Sequence, residues 1–301
     1  MELHAPAEFN AAKLVGVFES GTSEWHEARA YSLGGSEIGT IMGLNPWESA
    51  YALWAKKTGK IDNPPLTNWA VRFGQAFEQP ILDLWQQEHP EYEVFLTGTY
   101  QDCEHEFLHA NPDALARHRE TGEWLVVEVK TARTSFEALP ATYEAQVRHY
   151  MMVMKINRSV VVAVAGMTWQ EFWVERDEFT EQVQLDYAKK FMSHIVNDTK
   201  PDYDGAESTY EVIRKLHPEI DETEIEIDGL HQLALAQAEF DEASAKFMQM
   251  KSWVLDLMGN AKHAYIVADG QKIRLASRQA RRDGVPYLVV KKGNNASVSG
   301  G

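Results

Sequence analysis

From Trp124 to Ala132 the chain reads W-L-V-V-E-V-K-T-A, an apolar stretch bounded by polar residues whose pattern is that of a β-strand. On a strand Glu128 and Lys130 point to one face, and Val127 and Val129 to the other. Two readings follow. An acid and a base two residues apart can form an ion pair on the solvated face of a half-exposed sheet, where polar residues commonly alternate with apolar ones. With another carboxylate nearby, they can instead serve a divalent cation. Asp113, in H-A-N-P-D-A, offers that carboxylate.

The segments around this strand define the fold class. S-E-W-H-E-A-R-A-Y-S-L-G-G-S-E-I-G-T-I-M-G reads as a helix, a Gly-Gly break and a second helix with Ser36 as N-cap and Glu37 behind it. S-A-Y-A-L-W-A-K-K-T-G-K is a short helix ending near Gly59. Phe73, Phe77, Ile81, Leu84 and Trp85 recur at helical spacing up to Pro90. The period then changes. Y-E-V-F-L-T-G-T-Y-Q and F-L-H-A-N-P-D-A-L-A-R-H read as strands around a turn, and A-T-Y-E-A-Q-V-R-H-Y-M-M-V-M-K as a helix. R-S-V-V-V-A-V-A-G-M and T-W-Q-E-F-W-V-E-R-D read as two more strands. This order predicts an α/β (α+β) fold with a central mixed β-sheet flanked by helices. A helix over 178–200, a loop, a long helix over Leu230–Met258 and a hairpin turning at Asp269-Gly270 follow. The expected division is a domain over 1–200, an acidic linker over 201–228, a helical and hairpin extension over 229–292, and a Gly/Ser/Asn-rich disordered tail over 293–301.

The net charge of −16 argues against a protein that coats nucleic acid through charge alone. Residues 1–170 carry −9, residues 171–228 carry −11 and residues 229–301 carry +4. Any contact with a phosphate backbone must therefore come from a local basic lining or from bound metal. Lys272, Arg274, Arg278, Arg281, Arg282, Lys291 and Lys292 stand against Asp283 near the C-terminus, and could track a backbone or form a solvated basic hairpin. Cys103 is the only cysteine, which excludes an internal disulfide and a four-cysteine zinc or iron–sulfur site within the chain. No apolar run approaches a membrane span and no signal-like N-terminus is seen, so an intracellular protein is expected.

Asp113 and Glu128 have the hard oxygen donors that Mg²⁺ or Mn²⁺ prefers, and the Val129 carbonyl can complete the shell. Such a metal lowers the pKa of a bound water and neutralises charge on a phosphate, while Lys130 can orient the water or stabilise the phosphoryl group.

Pro112-Asp113 followed by Glu128-x-Lys130 resembles the PD-(D/E)xK nuclease superfamily. The ordered run E-W-H-E-A-R, G-G-S-E-I-G, R-F-G-Q-A-F-E-Q-P, H-A-N-P-D-A, V-E-V-K-T-A and Y-E-A-Q-V-R-H-Y-M-M-V resembles the YqaJ-type phage recombinase nucleases, the lambda exonuclease-like family. The resemblance covers about residues 24–170. It implies that Asp113, Glu128, Val129 and Glu78 hold metal, that Lys130 is the catalytic lysine, and that Gln146 lies beside the active site. Arg29 and Ser36 match residues that hold a terminal 5′-phosphate. The family's basic residue in the loop near Leu44–Trp47 has no counterpart here; Arg133 is the substitute the sequence offers. Ala114 and Asn111 also depart from the family pattern, and neither replaces a carboxylate. The lone cysteine sets the chain apart from cluster-bearing RecB-type relatives.

The resemblance implies a Mg²⁺-dependent 5′→3′ exonuclease on linear double-stranded DNA, with Mn²⁺ as a substitute metal. Such an enzyme would form a ring-shaped homo-oligomer. It would work in the cytoplasm of a bacterial host, from a phage or prophage, and leave a 3′ single strand for an annealing protein of RecT or Beta type. The alternatives are a PD-(D/E)xK endonuclease of restriction or junction-resolving type, and a catalytically silent DNA-binding module.

Overall fold

The structure is a computed structural model, described here for residues 4–9, 11–18, 31–64, 67–268 and 270–291. It divides into two compact units, 1–220 and 221–301.

The first unit is built on two five-stranded sheets. One has the order β1 (Glu8–Phe9), β2 (Ala12–Gly16), β5 (Thr99–Asp102), β6 (Leu108–Ala110), β3 (Leu33–Gly34). The other has the order β10 (Thr168–Glu175), β9 (Arg158–Ala165), β8 (Trp124–Ala132), β7 (Ala114–His118), β4 (Tyr92–Phe95). In the second sheet β8 and β9 run parallel and the other pairs antiparallel, so the expected mixed sheet is present. The single central sheet expected from the sequence is in fact accompanied by another. Y-E-V-F-L-T-G-T-Y-Q is divided into β4 and β5, and F-L-H-A-N-P-D-A-L-A-R-H into β6 and β7, with each half in a different sheet. Asn111-Pro112-Asp113 makes the second break, where proline cannot donate to a ladder.

Helix α4 (Ala141–Met154) packs between the sheets. Its buried Val147, Tyr150, Met151 and Met154 join Tyr100 and Leu108 of one sheet and Leu115, Val126 and Val161 of the other in the larger core. A smaller core on the opposite face of β8 sets Val127 and Val129 against Ile81, Leu82 and Trp85 of α3 (Trp69–Glu88). The strand's alternation therefore sends its valines toward α3, and Val126, Glu128 and Lys130 toward α4. Phe73 and Phe77, before the internal Pro80 of α3, are exposed and stacked on one another at 4.3 Å.

Helix α1 (Gly35–Ile41) begins before the expected cap. Gly34 is the N-cap and Glu37 is at N3, where its Oε2 accepts the Gly34 N–H at 2.9 Å. Ser36 lies inside the first turn, so its assignment as N-cap is corrected. The cause is the pairing of Leu33-Gly34 with Leu108-His109, which holds Gly34 extended and makes it the last residue before the helix.

Helices α2 (Ala50–Lys57) and α5 (Glu178–Val196) complete this side of the unit together with α6 (Glu207–Leu216). The span expected as an acidic linker thus contains a packed helix. Ser208 Oγ accepts the Ser49 N–H at 3.0 Å, Thr209 Oγ1 donates to Ser49 Oγ at 2.7 Å, and Val212 is in the core.

The second unit holds α7 (His231–Met258) and an antiparallel sheet of β11 (His263–Ala268), β12 (Gln271–Gln279) and β13 (Tyr287–Val290). The expected hairpin is β11–β12; Asp269, Lys292 and the tail over 293–301 lie outside the described residues. Met258, Ala276 and Leu288 form a small core with Val254 and Leu255. Among the described residues no helix is long and apolar enough to cross a membrane.

Candidate active site

The second sheet ends at a cluster of acids. β7 pairs with β8 from Ala114 opposite Val127 onward, and the chain before Ala114 departs into the other sheet. The Val129 N–H is consequently met by a side chain: it donates to Asp113 Oδ2 at 2.7 Å. Pro112 is in turn held by Thr97, whose hydroxyl donates to its carbonyl at 2.5 Å.

Glu128 is only 2% exposed, which removes the reading of Glu128 and Lys130 as a surface ion pair. Its Oε1 accepts from Lys130 Nζ and from Gln146 Nε2, the latter at 2.6 Å. Its Oε2 is buried with no hydrogen-bond partner among the described residues. Gln146 also donates to Tyr150 Oη at 2.9 Å, and Lys130 Nζ lies 5.2 Å from the centre of the Tyr143 ring. The three residues from α4 follow i, i+3, i+7 spacing and so share one helix face.

Burial, and after it the crowding of like charges, disfavours ionisation of the acids in the cluster. Burial pushes the Asp113 carboxyl well above the usual carboxylate range, and the Glu128 charge adds to the rise. Burial also raises Glu78, on α3, with Glu128 as the second cause. For Lys130 burial opposes the charge, but Glu128 and Asp113 outweigh it and the net shift is upward, so the ammonium persists.

Among the described residues no three His, Cys, Asp or Glu side chains converge closely enough to form a metal cage. The set of Asp113, Glu128, Val129 and Glu78 is therefore not assembled as a three-carboxylate site, and Lys130 is the cation that Glu128 holds. Mg²⁺ nevertheless needs only one or two carboxylates, because it keeps several waters. A buried carboxylate oxygen without a partner among the described residues, beside a second carboxylate and a carbonyl past the end of the β7 pairing, fits that donor set.

The structure brings together Asp113, Glu128, Lys130, Gln146 and Glu78. Arg133 is exposed just beyond β8, Ser36 is exposed in the first turn of α1, and Arg29 lies outside the described residues. Sequence reasoning did not single out Tyr143 and Tyr150; their helical spacing from Gln146 was the available signal. Tyr150 also closes on the Gly-Gly turn, since a Cβ at Gly35 would stand 2.4 Å from its ring. Gly35→Ala is expected to destabilise the protein by about 1–3 kcal/mol through overpacking and to reduce activity by displacing Gln146. An unchanged urea midpoint would contradict this.

Residues 24–159 match the family model of the YqaJ-like viral recombinase domain. The uncharacterized protein YqaJ of Bacillus subtilis (strain 168) is 23% identical over 266 residues, 82% of each chain. Protein D345L of African swine fever virus (isolate Tick/Malawi/Lil 20-1/1983) is 35% identical over 63 residues, 21% of this chain and 18% of its own. Among solved structures, the alkaline exonuclease LHK-Exo of Laribacter hongkongensis, in complex with dAMP, superposes with a TM-score of 0.50 at 16% identity. That match covers 65% of this chain and 98% of the other, and shows a shared PD-(D/E)xK-type fold.

Proposed function

We propose that this protein is a Mg²⁺-dependent 5′→3′ exonuclease acting on linear double-stranded DNA. The observation that carries the reading is the buried Glu128, fixed through one oxygen by Lys130 and Gln146 and with its other oxygen unpartnered among the described residues, just past the point where β7 stops pairing with β8 and the Val129 N–H is tied to Asp113. The match to the YqaJ-like viral recombinase domain over residues 24–159 supports it.

Asp113, Glu128 and the Val129 carbonyl would hold the metal, and Glu78 on α3 adds negative charge beside them. Bound Mg²⁺ supplies a water of lowered pKa and neutralises charge on the scissile phosphate. Gln146 fixes the Glu128 carboxylate in one rotation and leaves Oε2 available. Lys130, kept protonated by its acidic neighbours, can donate to a phosphate oxygen or hold the attacking water, and the Tyr143 ring beneath it limits its movement. The acids outnumber Lys130 and repel a phosphate backbone until a metal cation is present, which would couple metal binding to DNA binding. Ser36, Arg29 and Arg133 are proposed to meet the 5′-phosphate and the backbone. The product, a 3′ single strand, would pass to an annealing protein of RecT or Beta type in the bacterial cytoplasm during phage-type recombination. A ring-shaped homo-oligomer would hold the enzyme on its track.

The test is cleavage of linear duplex DNA, 5′-phosphorylated at one end only, beside a covalently closed circle. Expected in Mg²⁺ is progressive loss of the 5′-phosphorylated strand with the circle intact, and no cleavage in EDTA. Cutting of the circle would replace this reading with an endonuclease. DNA binding without cleavage of either substrate would replace it with a silent DNA-binding module.

A further inference from the structure

Helix α7 carries a second pattern, unrelated to the site above. Leu233, Ala236, Phe240, Ala243, Phe247 and Met250 recur alternately at three and four residues, and Val254 and Leu257 continue the series. Every position of this strip is apolar over four heptads, the period of a left-handed coiled coil rather than of a helix lying on a globular core. The hairpin covers its C-terminal part: Val254, Leu255 and Met258 pack toward Ala276 and Leu288, and Phe247 and Lys251 border a cleft with Leu288 and Val290. The stretch 233–250 is bare, with Leu233 68%, Phe240 66%, Phe247 53% and Met250 45% exposed. A strip about 27 Å long, at 1.5 Å rise per residue, is thus uncovered within the second unit.

We propose that residues 233–250 form an antiparallel two-helix coiled coil with a second copy of this chain. The choice of occupant and direction comes from self-complementarity. In an antiparallel seam the two kinds of core position face one another. One register then sets Leu233 against Met250, Ala236 against Phe247 and Phe240 against Ala243, each layer occurring twice. Each phenylalanine meets an alanine, which evens the volume of the layers. The flanking positions agree: Glu239 of each helix faces Lys246 of the other, giving two opposite-charge pairs. A parallel pair would stack Phe240 on Phe240 and Ala243 on Ala243, and would bring Lys246 toward Lys251. The contact lies wholly in the second unit, so it is separate from any ring formed by the first and does not depend on the nuclease reading.

The experiment uses the full chain with Cys103→Ser, spin-labelled at Glu242→Cys or at Ser252→Cys, and pulsed dipolar distances between copies. Equal residues are offset along the axis by about 1.5 Å at 242 and about 31 Å at 252 in this register. Expected is therefore a short distance at 242 and one longer by roughly 10 Å or more at 252. Glu239→Lys should abolish the short distance, and Glu239→Lys with Lys246→Glu should restore it. Equal distances at the two sites would overturn the proposal in favour of a parallel pair. Absence of any intercopy distance would overturn it in favour of a strip covered by the chain's own first unit. Indifference to Glu239→Lys would overturn the register.

Discussion

Lys130→Ala is expected to lower the rate of DNA cleavage by roughly 10²–10⁴-fold, the usual loss when a positioned proton donor or acceptor is removed, while Mg²⁺ still binds. Lys130 is the cation nearest the acids, held by Glu128 and kept protonated against its own burial. Its removal has a second consequence. Glu128, 2% exposed, loses its counter-charge, and breaking a buried pair from one side costs about 3–5 kcal/mol. The metal-free variant should therefore melt well below the wild type, and Mg²⁺ should recover more of its midpoint than it adds to the wild type. Glu128→Gln separates the two roles. It keeps a side chain that can accept from Gln146 but lacks the charge a cation requires, so cleavage and the Mg²⁺-induced rise in midpoint should disappear together. Single-turnover cleavage and melting curves, each with and without Mg²⁺, decide the matter. Full activity in either variant would remove these residues from the chemistry.

Acid should destabilise the protein through His149. Its ring is fully buried in α4, with Nε2 2.9 Å from the His109 carbonyl, and burial lowers its pKa from 6.5 to about 4. Between these values the unfolded chain binds a proton that the folded chain does not. The contribution of His149 is therefore whole above pH 6.5 and is lost as pH falls toward 4, amounting to about 3 kcal/mol. His149→Gln should be less stable at pH 7, since the fit is altered, yet lose less stability on acidification. Urea midpoints of both proteins at pH 7 and pH 4.5 give the comparison. Parallel declines would show that another group carries the acid sensitivity.

The local part of this protein was legible in its residues. Side-chain alternation placed Glu128 and Lys130 together on one face of β8. The helical spacing of Phe73, Phe77, Ile81, Leu84 and Trp85 located α3, a run of strong helix formers located α7, and the turn residues located the C-terminal hairpin. These signals survive because each depends on neighbours within a few positions. The resemblance of short ordered motifs pointed to Gln146 and Glu78, and Gln146 donates to Glu128.

Other features depended on residues far apart in sequence. Ser36 has the chemistry of an N-cap, but β6 pairs with Leu33-Gly34 and fixes the start of α1 earlier. The acidic composition of 201–228 reads as a linker, but Ser208 and Thr209 hydrogen-bond to Ser49 and anchor α6. The greatest difference lies at Glu128 itself. As a sequence, V-E-V-K fits a solvated strand as well as it fits a metal site. Only the placement of α4 between two sheets buries that carboxylate and brings Gln146 to one of its oxygens. Periodicity decides which way a side chain points; whether water or a helix waits there is set by packing between distant segments, which no local pattern records.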